Sequence, residues 1–331
     1  MNKLNRRQLL GASVLAGAAL AMPAAAAAAQ GTAAAEPDLS GKSVLITGTS
    51  SGFGYVGALH YARLGAKVIA TMRDLPRPEA AELRRIAADE GLDLHVVELD
   101  VLSDESVAAG IAEGERIAGG KLDVLVNNAG IGISGPVEIQ DMEAMRHIFG
   151  TNVEGYQRTA RAALPKMRAA GSGLVVNVSS QLGRVIVPNI GLYSSTKFAV
   201  EALSEQMAYE LAPHGVDVVI IQPGGYPTEI WENGDRYTRA LLDRTSEERK
   251  AGYPQLVAGA LRSSGGGSTD PIDVPRAIAE LIAMPAGERP LRRPVHPGPK
   301  PQESINEVSA RTQLAMLGES PYGPMVNAVL T

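Results

Sequence analysis

Residues 44–54 read VLITGTSSGFG, an apolar run that stops at a glycine-rich turn. VLIT suits a strand, and Gly48, Gly52 and Gly54 keep side chains off the turn that follows. From there a helical pattern runs to about Leu64. A strand that turns on glycines into a helix lets backbone approach a pyrophosphate, and the helix N-terminus offers it free N–H groups and partial positive charge. The spacing is G-x-x-x-G-x-G rather than G-x-G-x-x-G, and a merely tight turn is the alternative reading.

The same unit recurs outward from this point. Candidate strands are 43–48, 67–72, 94–100, 122–128, 173–180 and 216–224, and their apolar runs are nearly continuous, as in strands covered on both faces. Helical patterns over 78–90, 104–117, 138–168 and 193–212 lie between them. This alternation predicts an α/β fold: one domain over 36–331, built on a doubly wound parallel sheet of about seven strands. Residues 225–272 break the rhythm and read as an insertion over the mouth of the sheet. One helix over 274–284, a proline-rich stretch and a short last strand near RRPVHPG (292–298) complete the chain.

The chain has 331 residues, 45% of them hydrophobic, with a net charge of −5 and no cysteine. Disulfides, thiol catalysis and thiolate metal sites are thereby excluded, and no basic footprint favours nucleic acid. Residues 1–35 differ from the rest: Lys3, Arg6 and Arg7 precede an apolar run from Leu9 to Met22, then Pro23 and an alanine tract. That layout is a cleavable export signal, too short for a comfortable membrane span. LNRRQLL (4–10) resembles a twin-arginine signal, although Asn5 replaces the usual serine or threonine, and an ordinary secretory signal is the alternative. The expected destination is the periplasm of a bacterium, or the cytoplasm if the signal reading fails. Replacing Arg6 and Arg7 with lysine is expected to trap unprocessed protein in the cytoplasm; normal export by fractionation would reduce the motif to a generic signal.

Three stretches can carry chemistry. In ATMRD the second strand ends on Met72, where an acid would hold an adenosine ribose, with Arg73 next to it. Arginine there accommodates a 2′-phosphate and favours NADP over NAD; Asp74, turned inward, would reverse the preference. Asp100 ends the third strand, where it would meet adenine or cap a helix. LYSSTKFAV sets Tyr193 and Lys197 four apart, on one helix face. An ammonium beside a phenol brings it into range for acid–base work, although the pair alone is common on helix surfaces. Ser180, thirteen residues earlier at a strand end, can hold a substrate carbonyl oxygen or simply turn the chain.

TGTSSGFG, LDV, NNAG (127–130), TNV (151–153), NVSS, YSSTK and PGGYPT occur in the order and spacing of the short-chain dehydrogenase/reductases, which this chain resembles over about residues 40–230. The resemblance implies that Tyr193 is the acid in reduction and the base in oxidation. Lys197 would bind the nicotinamide ribose and lower the tyrosine pKa, Ser180 would orient the carbonyl, and Asn152 would hold a relay water. At the cofactor it implies Gly48, Ser50, Ser51, Gly52, Phe53 and Gly54, then Arg73, Asp100 and Val101. Asn127, Ala129 and Gly130 join them, with Asn128 to Gly130 reading first as structural. Pro223, Gly224 and Thr228 would line the nicotinamide, unless Thr228 is only a helix cap. Gln181, Ile186, Val187, Pro188, Asn189, Tyr226 and Trp231 would line a substrate pocket.

The function so implied is an oxidoreductase that moves hydride between NADP(H), with NAD(H) as the other candidate, and a carbonyl or secondary alcohol. No metal is expected, because the phenol handles the oxygen. The alternatives are a dinucleotide-binding sensor or scaffold without turnover, and an epimerase or dehydratase with bound nicotinamide. A small-molecule substrate and a homo-oligomer, dimer or tetramer, are the expected partners.

Overall fold

Each apolar run is a strand wherever both of its faces are covered. In the computed structural model, which describes residues 36–261 and 267–331, Ser43–Thr47 (β1) is buried at every position. Strands β2 (Lys67–Met72), β3 (Leu94–Glu98), β4 (Val124–Asn127), β5 (Gly173–Val178), β6 (Val216–Pro223) and β7 (Arg292–Val295) follow. All pair in parallel in the order β3-β2-β1-β4-β5-β6-β7. Residues 1–35, and with them the export-signal reading, lie outside the described residues.

Successive strand residues face opposite ways, so one sheet builds two cores. Val44, Ile46, Val68, Val126, Val176 and Ile221 pack against helices α1 (Gly52–Arg63) and α2 (Pro78–Glu90) on one side. Leu45, Ile69, Leu125, Val175 and Ile220 meet α3 (Asp104–Ala118) on the other. Every such fully buried aliphatic side chain contributes about 1.5–3 kcal/mol. The order reverses between β1 and β4, and ligands bind in the crevice at such a switch point, outside the carboxyl ends of the strands.

The helix expected over 138–168 is interrupted. It forms as α4 (Met142–Phe149), a π-helical turn at Gly150–Glu154 and α5 (Gly155–Ala169). The extra residue of a π turn rotates what it carries, and Asn152 is fully buried there. Helix α6 (Gly191–Leu211) bears Tyr193 and Lys197. The insertion is itself helical, as α7 (Ile230–Asp243), α8 (Glu247–Ala251) and α9 (Pro254–Ala260). Thr238, Leu241 and Leu242 form the buried stripe of α7. After α10 (Asp273–Ala283) and β7, the residues to which the sequence reading assigns no element fold as α11 (Gln302–Leu317) and α12 (Gly323–Leu330). Helix α11 buries only Gln302 fully, so it carries no apolar stripe by which a sequence reading would find it. Among the described residues no helix is long and apolar enough to cross a membrane.

Candidate active site

A cleft of about 630 Å³ runs along the carboxyl ends of the strands. Its floor is the turn after β1, which has no room for a side chain at Gly48 or Gly54. A Cβ on Gly54 would stand 2.2 Å from the Gly48 carbonyl oxygen and 2.6 Å from Asn128 Nδ2. Gly48, at φ +71°, is pressed against Ala129 in turn, its Cβ position 2.8 Å from Ala129 Cα. Asn128 holds the two loops together, donating from Nδ2 to the Thr47 and Gly48 carbonyls at 2.8 and 3.2 Å. Thr47 Oγ1 accepts from the Asn128 and Ala129 N–H groups, both at 3.0 Å. Ser50, Ser51, Gly52 and Phe53 line the cleft along this turn. The bare cradle and the N-terminus of α1 fit a dinucleotide pyrophosphate. Glu229 Oε2 accepts from the Gly52 N–H at 2.9 Å, so the anion-binding end of α1 here holds a carboxylate of the chain itself.

Past the end of β2, Arg73 and Arg77 border the cleft. Asp74 borders the same cleft at φ +58°, its side chain 81% exposed and its carboxylate 3.5 Å from Arg73 Nε. Arg77, a residue the sequence reading did not single out, is paired with Glu79 at 2.9 Å and donates to the Arg73 carbonyl. Asp100 lines the cleft with Val101, and its Oδ1 accepts from Leu102 N–H at 3.0 Å. It does not cap α3, which Ser103 does by accepting from Ser106 N–H. From the insertion, Tyr237 reaches this end, 3.5 Å from Arg73 Nη2 and with its ring 5.0 Å from that of His147. Burial, with Arg73 adding to it, pushes the His147 imidazole below its ordinary pKa.

At the other end Ser180, Tyr193 and Lys197 share one wall with Gln181, Pro223, Gly224, Tyr226, Thr228 and Trp231. Ser180 ends β5 in extended conformation, and its Oγ accepts from Leu182 N–H at 3.1 Å. Lys197 is 3% exposed, and its Nζ donates to the Val178 carbonyl at 2.8 Å and stands 5.6 Å from the Tyr193 ring centre. Burial pulls this ammonium down to about 7, with Glu201 opposing. Burial likewise pushes the Tyr193 phenol up to about 12, with a Ser180 hydrogen bond opposing. Burial is the largest influence on the phenol, and it acts against the lowering expected from Lys197.

A profile of the family described as short chain dehydrogenase matches residues 42–237, more than half of the chain and the whole of this cradle and wall. The chain belongs to the short-chain dehydrogenase/reductase family. Retinol dehydrogenase 8 of Bos taurus is 36% identical over 259 residues, covering 76% of this chain and 80% of that one. A short-chain dehydrogenase/reductase from Burkholderia phymatum, solved in complex with NAD, superimposes with a TM-score of 0.67 at 27% identity, covering 86% of this chain and 97% of that one. A gluconate 5-dehydrogenase from Burkholderia cenocepacia, solved with NADP and tartrate, gives 0.55 at 28% identity over 70% of this chain and 91% of that one.

Within this short-chain dehydrogenase/reductase, several expected site residues stand behind the cleft instead of in it. Asn127 donates to Asn177 Oδ1 at 2.9 Å and accepts from Thr159 Oγ1 at 2.6 Å, a buried ladder that locks β4, β5 and α5. Asn152 spends its side chain on Ile131, accepting from its N–H and donating to its carbonyl at 2.9 Å each, and on Thr196 Oγ1 at 3.0 Å. Gly130, by contrast, lines the cleft between Asn152 and Lys197, whose side-chain atoms lie 3.4 and 3.8 Å from the Cβ it lacks. Ile186 and Val187 are exposed, and with Pro188 and Asn189 they do not line the cleft; Asn189 donates to the Leu256 carbonyl at 3.0 Å. Thr228 does not cap α7, where Glu229 precedes the first turn. Helix α7 supplies lining residues that no motif announced, Asn233 to Tyr237. Its hydrogen bond from Ser134 N–H to Thr238 Oγ1 (3.0 Å) fastens it over the cleft.

Proposed function

We propose that the protein is an NADP-dependent oxidoreductase that reduces the carbonyl group of a small, largely apolar molecule, or runs that reaction backwards on a secondary alcohol. The reading is carried by the convergence of Ser180, Tyr193 and Lys197 on one wall of a cleft bordered at its far end by Arg73 and Arg77. Bound nicotinamide supplies the hydride. The chain's own groups manage the oxygen: Ser180 Oγ holds it beside the phenol, and Tyr193, protonated at neutral pH, donates to it as the carbon is reduced. Lys197 holds ribose hydroxyls one helical turn away. Ile131, Ile133, Leu182, Ile190 and Trp231 give the reacting end an apolar lining, which suits the substrate class. That Retinol dehydrogenase 8, named for an apolar alcohol, is similar to this chain supports the same class.

Two guanidinium groups at this end, with Asp74 exposed and paired to Arg73, support NADP over NAD. The test is turnover of a ketone and aldehyde panel with each cofactor. NADPH is expected to be the better reductant, and silence toward every carbonyl and alcohol with cofactor bound would overturn the oxidoreductase reading. Arg73→Ala and Arg77→Ala are each expected to weaken NADPH binding about 10-fold or more while NADH binding changes little, since each removes a charge-assisted contact. Equal losses for both cofactors in titration calorimetry would contradict the 2′-phosphate assignment.

A further inference from the structure

Beyond Lys197, helix α6 carries two more buried charges that the chemistry above does not use. Glu201 and Glu205, one and two turns on, are 2% and 8% exposed. Arg292 of β7 donates to Glu201 Oε2 at 2.8 Å and also to Glu205. Arg184, from the loop after Ser180, approaches the same carboxylates at 3.4 and 3.9 Å. Gln222 of β6 donates to Glu201 Oε1 at 2.9 Å, while Asn306 of α11 donates to Gln222 Oε1 at 2.7 Å. Gln313 of α11 and Tyr209 of α6 donate to Glu205.

Two carboxylates face two guanidinium groups, so this set is neutral by itself and Lys197 is the added charge. A buried ammonium needs a compensating anion nearby. The titratable groups around Lys197 are the phenols of Tyr193 on its own helix and Tyr156 of α5, which burial keeps neutral, and the Glu201 carboxylate. Glu201 stands one turn after Lys197 on the same helix, and Gly183 packs closely against that turn: a Cβ there would lie 3.0 Å from Glu201 Cγ and 3.1 Å from the Lys197 carbonyl oxygen.

We infer that Glu201 is a positioning residue, whose carboxylate, anchored by Arg292 and Gln222, holds Lys197 as the ammonium that binds cofactor ribose. The inference rests on the cofactor reading above. It gives β7 and α11, which lie outside the segment matched by the family profile, a part in cofactor binding.

The sign follows from the charges. Glu201→Gln removes the nearest anion and leaves Arg184 and Arg292 facing one carboxylate, and both changes disfavour the ammonium. The pH above which Lys197 is neutral therefore falls. Glu205→Gln breaks comparable ion pairs, but its charge lies about 12 Å along the helix from Lys197 against about 6 Å for Glu201, so its effect on the lysine is smaller.

The experiment is NADPH binding as a function of pH, read by the fluorescence of Trp231, the single tryptophan of the chain, which lines the cleft. Titration of the cofactor itself is common to all variants and cancels. For Glu201→Gln the midpoint at which binding weakens is expected about one pH unit lower, so that above the original midpoint NADPH binds about tenfold more weakly. Glu201→Asp is expected to restore most of the shift, and Glu205→Gln to move it less than half as far. Circular dichroism identifies any variant that has not folded; Glu201→Asp, which keeps the charge and Arg292 as partner, then carries the comparison with Glu205→Gln. An unmoved midpoint in folded Glu201→Gln, or equal shifts for both glutamine variants, would overturn the inference alone. Failure of the unaltered protein to bind NADPH at any pH would overturn the cofactor reading and this inference together.

Discussion

Tyr193→Phe is expected to lower kcat for ketone reduction by about 10³-fold, while NADPH binding and Tm stay close to those of the unaltered protein. The substitution removes one oxygen and leaves the ring. That oxygen is the acidic group of the wall, and positioned acid–base groups contribute roughly 10²–10⁴-fold. Tyr193 is partly open to the cleft and loses with its oxygen only the hydrogen bond to Ser180, so little stability rides on it. Burial holds the phenol up at about 12, so it stays protonated at neutral pH and carries the proton that reduction requires. The substitution separates two functional classes. Retained turnover would remove Tyr193 from the chemistry, and a biological role untouched by the change would favour a dinucleotide sensor.

Gly54→Ala is expected to abolish cofactor binding and to destabilise the fold by about 3 kcal/mol or more, read by chemical denaturation. The added methyl would meet the Gly48 carbonyl oxygen at 2.2 Å and the Gly48 carbonyl carbon at 2.9 Å, both backbone atoms. Gly48 cannot retreat, because its own Cβ position is already 2.8 Å from Ala129 Cα. Either the turn opens and loses its cradle, or α1 swings away from β1. Gly91→Ala is the control. Gly91 has φ above zero, at +68°, which Gly54 does not, but nothing lies within 4 Å of its Cβ position, so a cost of only about 1 kcal/mol with unchanged NADPH binding is expected. A loss at Gly54 no larger than that at Gly91 would show that close packing does not govern Gly54.

Much of this molecule is legible in one dimension because the signals are local. Strands β1 and β6 announce themselves as nearly continuous apolar runs, since a strand covered on both faces has no solvent side to mark with polar residues. The glycine turn is visible because a side chain there would collide with backbone a few residues away. Tyr193 and Lys197 are found by their spacing, since residues four apart on a helix share a face whatever surrounds it.

What only the tertiary structure decided depends on residues that meet across long stretches of chain. Arg77 reads as a helix-flanking arginine until β2 and the turn after β1 set it beside the cleft. Asn152 faces inward because a π turn interrupts a helix whose sequence gives no break. Ile186 and Val187 read as pocket residues and lie outside, and Glu229 reads as a surface acid and sits on Gly52. Burial pulls the Lys197 ammonium down to about 7 while the Glu201 carboxylate, fixed from β7 and β6, holds against that fall. Backbone hydrogen bonding and burial impose their period on neighbouring residues and are written in the order of the sequence. Burial depth, charge balance and the closing of the cleft come from contacts between distant segments, and they exist only once the chain has folded.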